Sequence, residues 1–218
     1  MGFGREAARV ADADLPMRYR LQALSSCITL AQPIGFNATW RYLELRTGTP
    51  WREPSFLMPA LQLLKVERAL HLEVADEYAA IRRAQKHTGH RFPPVQDVTP
   101  IAPRRWHGDE QQGALVTLRT ALELDRYDES KSPAAQAQLT LRAAREAVNG
   151  NSEALDHHNL QSLLDWSRRQ VNVVGWPSDR EAYQAAWQNL RLLGQIHLLL
   201  YGATAVATPW NFVNPTAR

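Results

Sequence analysis

The sequence predicts an all-α protein, a multi-helix bundle interrupted by one extended connector. Three observations carry this: apolar residues recur at steps of three and four from about residue 54 onward, helix start and stop signals bracket those runs, and only one short segment admits a strand. That segment is Ser26 to Ala31, readable as a strand or a helix end. With two helices after it, it allows a ribbon-helix-helix alternative.

The elements follow in order. Asn37 is a candidate cap for a helix from Ala38 to Arg46 that stops at Gly48. From Leu61 to Lys86, the positions Leu63, Val66, Leu70, Val74, Tyr78 and Ile81 mark one face of a long amphipathic helix. Pro93, Pro94, Pro100 and Pro103 then remove backbone donors and fix φ, so residues 90 to 106 read as extended. Asp109 is placed to cap a helix with Leu115, Leu118 and Leu122 on its apolar side. Ser132-Pro133 starts another, lined by Leu141, Ala144 and Val148 and closed by Asn149-Gly150. A further helix is expected from Ser152 to about Val173. The last runs from Asp179 to Tyr201 behind a Ser178-to-Glu181 capping box. Its second half, Leu192 to Tyr201, is apolar nearly all round, which implies central burial or a partner interface. The organisation expected is a helical part at 1–89, a basic connector at 90–108, a helical bundle at 109–202 and an irregular tail at 203–218.

The charge is unevenly placed. Six cations (Arg82, Arg83, Lys86, Arg91, Arg104, Arg105) stand against Asp97 between Arg82 and His107, in a chain whose formal net charge is +3. Phe92, Trp106 and three histidines share the segment, giving the pattern of a basic, aromatic-bearing surface that holds a polyanion. The competing reading pairs those arginines with acids from elsewhere and uses Trp106 to anchor the connector in a core. Arginine dominance itself, 22 against three lysines, is read as codon bias.

Catalytic and metal signatures are weak. His87 and His90 stand three apart without further ligands, and Asp156-His157-His158 falls in the first turns of a helix, where neighbouring side chains diverge. His197 on an apolar face reads as a satisfied core histidine. Ser25, Ser26 and Cys27 lack an identifiable base, and no phosphate-binding or dinucleotide-binding glycine loop is present. Cys27 is the only cysteine, which excludes an internal disulfide. No cofactor or metal is expected. Of seven tryptophans, Trp51, Trp176 and Trp210 are expected nearest a surface.

The first 30 residues carry scattered charges instead of a secretory signal, and Leu192–Tyr201 is too short to span a bilayer, so a cytoplasmic, bacterial protein is expected. The expected function is non-enzymatic. The chain reads as a nucleic-acid-backbone-binding subunit, DNA or RNA, of a larger bacterial, plasmid or phage assembly such as an RNA-guided effector or DNA-transfer complex. In this reading Arg82, Arg83, Lys86, Arg91, Arg104 and Arg105 meet phosphates and Trp106 stacks or wedges. The alternative is a protein-interaction or scaffold module using the apolar C-terminal helix, without nucleic acid.

Overall fold

A computed structural model describes residues 2–89, 104–123, 135–151, 160, 162, 163, 165 and 188–202. Among the described residues the fold is all-α, with no strand. Ser26 to Ala31 is the end of a helix, which removes the ribbon-helix-helix alternative. The chain divides into two compact units, the first taking residues up to 89 together with Arg104–Asp109, and the second taking Glu110 onward.

In the first unit, α1 (Phe3–Ala11), α2 (Met17–Ala31) and α3 (Phe36–Thr47) precede a 3-10 turn, Pro54–Phe56, and the long α4 (Leu57–His87). Each short helix buries a narrow stripe: Ala7 and Val10 on α1, Ala23, Leu24, Cys27 and Ile28 on α2, and Ala38, Thr39, Tyr42 and Leu43 on α3. The spacing is that of one helical face. All three helices touch α4. Its first turns contribute Leu57, Ala60, Leu61 and Leu64 to the same core. Pro59 sits in the first turn of α4, where the amide it lacks would have had no intrahelical partner.

The helix ends are specified locally. Gly48 closes α3 in the left-handed region at φ 65°, and its amide donates to the Glu44 carbonyl at 3.0 Å. Gly35 stands at the N-terminal cap of α3, and Asn37 lies inside its first turn, so the helix begins two positions earlier than expected. The Arg20 Nε donates to the Val10 carbonyl at 2.8 Å, tying α2 to the end of α1.

The predicted α4 face is not the one that builds this core. Val66, Val74, Tyr78 and Ile81 are 40–53% exposed, whereas the buried positions lie on an adjacent face of the first turns. Past Leu64 the only buried residues of α4 are Glu67 and Arg82. The sequence periodicity marks the helix, but the other helices of this unit touch α4, whose buried positions lie on a neighbouring face of its first turns.

The second unit contains α5 (Glu110–Glu123), α6 (Ala135–Val148) and a helical stretch at 188–202. Leu118, Leu141, Ala144, Leu160, Leu190, Leu193 and Ile196 share one core, with Leu122, Val148 and Leu163 packed against it. Leu192, Leu193, Ile196 and Leu198 are each at most 3% exposed, so the apolar stretch is consumed by its own unit. Gln111 Nε2 donates to the Leu199 carbonyl at 3.3 Å, fixing the start of α5 beside that stretch. His197 is 1% exposed and tilted against Tyr201 at 5.0 Å, a core position as its apolar surroundings implied. Asp156, His157, His158, Trp176 and Trp210 lie outside the described residues. No helix among the described residues is long and apolar enough to cross a membrane.

Candidate nucleic-acid interface

The expected basic surface begins where the chain returns to the first unit. At Arg104–Asp109 the backbone lies against α3 and α4, and three side chains hold it there. Trp106 is 4% exposed and stacks on Tyr42 with ring centroids 4.0 Å apart. Glu67, 2% exposed, receives the backbone amide of His107 at 2.9 and 3.1 Å and its Nδ1–H at 2.7 Å. A buried carboxylate is tolerated when its oxygens are filled by donors in this way. Asp109 accepts the Tyr42 hydroxyl at 3.2 Å and faces Arg46 at 3.4 Å.

Trp106 is therefore a core anchor, and its role as a stacking or wedging residue is corrected. Its ring is covered by Tyr42 because the segment bearing it packs onto α3, a contact between residues far apart in the sequence. No face remains for a base.

The cations stand in two groups within this unit. Arg104 is exposed and donates to Gln32 Oε1 at 3.0 Å, and Arg105 is half-buried next to it. Arg83 and Lys86 are exposed on the last turns of α4, while Arg82 is largely buried and donates to Gln85. With His107 pinned at Glu67, the helix rise of about 1.5 Å per residue separates Arg82 from that anchor by about 22 Å along the axis. The two groups stand apart, and the stretch of α4 between Arg68 and Arg82 has no Lys or Arg and carries Glu73, Asp76 and Glu77, where the sequence suggested a single cluster. Arg91 and His90 lie outside the described residues. His87 is exposed, and no set of three His, Cys, Asp or Glu side chains among the described residues is placed to hold a metal ion.

A second aromatic group was only half anticipated. Trp51 is 40% exposed, as its place beside a turn implied. Trp40 joins it edge-on at 6.3 Å, meets Phe36 edge-on at 6.4 Å and stacks on the buried Phe56 at 5.9 Å. The Arg52 guanidinium lies 5.0 Å over the Trp51 ring, and the Trp51 amide donates to Glu44 Oε1 at 3.0 Å. The i, i+4 spacing of Phe36 and Trp40 on α3 was the available signal.

Two buried groups are inert at neutral pH. Burial, reinforced by the Glu6 carboxylate, pushes the Cys27 thiol up to about 11, and burial with the Asp109 carboxylate raises the Tyr42 hydroxyl still further. An acid whose folded pKa lies above its unfolded value stabilises the fold below the unfolded value and loses that contribution as pH rises through the folded one. Stability is thus expected to fall between about pH 9 and 11, with Cys27 contributing about 2–3 kcal/mol. Urea titrations at stepped alkaline pH measure it. Iodoacetamide at pH 8 should leave native Cys27 unmodified and label the denatured chain.

No family model, curated protein or solved structure matches the chain.

Proposed function

We propose that the first unit binds nucleic-acid backbone, as a binding subunit without chemistry of its own. The observation that supports this most directly is the distribution of charge over the units. Residues 2–89 and Arg104–Asp109 carry 14 Lys and Arg against 10 Asp and Glu, a net +4, whereas residues 110–218 carry 10 against 11. The excess is confined to the unit that also exposes Arg83, Lys86 and Arg104. Two cation groups set about 22 Å apart along α4 suit a polyanion better than a single phosphate, which could meet only one of them. Counterion release then supplies affinity with little sequence preference and a steep dependence on salt.

The test is an anisotropy titration with a random-sequence oligonucleotide at about 50 and 200 mM salt. Replacing both Arg83 and Lys86 with alanine should lower the slope of log K against log salt by about two and weaken binding at least about tenfold. Wild-type binding that ignores salt, or a double variant with unchanged slope, refutes the α4 contribution. Arg104→Glu tests the other cation group separately.

A role in protein association is favoured by a different surface from the one expected. Leu192 to Leu198 is core and Leu199 to Tyr201 is partly buried against it, but Val74, Tyr78 and Ile81 present exposed apolar surface on α4. Association through them should survive moderate salt, since apolar contacts are not screened. Light scattering of wild type and Ile81→Glu distinguishes this reading from the first.

A further inference from the structure

The aromatic surface near Arg52 lies open to solvent, which the buried Trp106 ring does not. Trp51 and Phe36 are 40% and 37% exposed, close to the unit's core yet not enclosed by it. Their orientation is fixed from below: Trp40 touches both rings and is itself stacked on Phe56, which is fully buried. The Glu44 carboxylate holds the Trp51 amide, so backbone and ring are both restrained. A rigid aromatic loses little conformational entropy when a partner covers it. Arg52 adds a guanidinium to the same ring, an arrangement that pairs a planar apolar face with positive charge.

Planar rings linked by phosphates have the complementary chemistry. In a duplex the base faces are already stacked on one another, so only unpaired bases can use such a surface. We propose that Trp51, supported by Trp40 and Phe36 and accompanied by Arg52, is a stacking platform for unpaired bases, directing the first unit to single-stranded nucleic acid. This deepens the backbone-binding reading and rests on it. A proline-rich peptide also packs on aromatics, but it carries no phosphate and would bind without steep salt dependence.

Two labelled strands of equal length and charge separate the outcomes, one of oligothymidine and one of abasic sugar-phosphate. Wild type is expected to hold oligothymidine about tenfold more tightly, the scale of one stacked base. Trp51→Ala should erase that preference while leaving abasic affinity and its salt slope intact, which also reports that the variant is folded. Trp51→Phe should retain most of the preference. Equal wild-type affinity for both strands, or a preference that persists in Trp51→Ala, overturns the platform and leaves backbone binding standing. Failure of wild type to bind either strand overturns both, and salt-independent capture of a polyproline peptide on the same residues overturns the choice of ligand.

Discussion

Replacing Trp106 with alanine is expected to destabilise the first unit by about 3–5 kcal/mol, the range for deleting a buried tryptophan. The residue is 4% exposed and its ring lies on Tyr42 at 4.0 Å, so truncation opens a cavity at the junction of α3, α4 and the returning segment. Equilibrium denaturation followed by circular dichroism measures the loss. Trp106→Phe, which keeps an aromatic ring on Tyr42, should recover a large part of it. A loss under about 1 kcal/mol for the alanine variant would show that the ring fills no essential space.

Glu67→Ala is the second large effect. It strips the acceptor from the His107 backbone amide and from its Nδ1–H together. Leaving buried donors unpaired costs about 1–3 kcal/mol each, so a loss of about 3 kcal/mol is expected. Glu67→Gln keeps the length and one acceptor oxygen and should lose roughly half as much. Because Glu67 and Trp106 secure the same six-residue segment, Arg104–Asp109, the double variant should lose less than the sum of the two single losses. Additive losses would mean that each contact holds on its own.

Features encoded by near neighbours were the ones the sequence made legible. The body of α4, the stop at Gly48, the Leu141 and Ala144 face of α6 and the burial of Leu192 to Leu198 all follow from periodicity or a single turn residue. Helix α1 escaped notice because it has nine residues and no side-chain cap at its start. The second half of α2 has β-branched and small residues, which left strand and helix undecided.

The candidate site was less legible because its features depend on distant contacts. Glu67 reads as a solvated charge on the polar face of α4, and nothing near it announces that His107 will supply donors to a buried carboxylate. Trp106 reads as an exposed aromatic among cations until Tyr42 is found beneath it. Arg82 likewise counts as surface charge in the sequence but is 9% exposed and engaged with Gln85. Counting charges located the basic unit and missed which members of it face solvent.

The discontinuity of the first unit has an outcome during synthesis. Its first four helices are synthesised before Arg104–Asp109, so Tyr42 and Glu67 are made ahead of the residues that cover them. N-terminal domains generally fold first as a nascent chain lengthens. Here completion waits for a later stretch of the message, and translation arrested before codon 109 would yield a protease-sensitive intermediate.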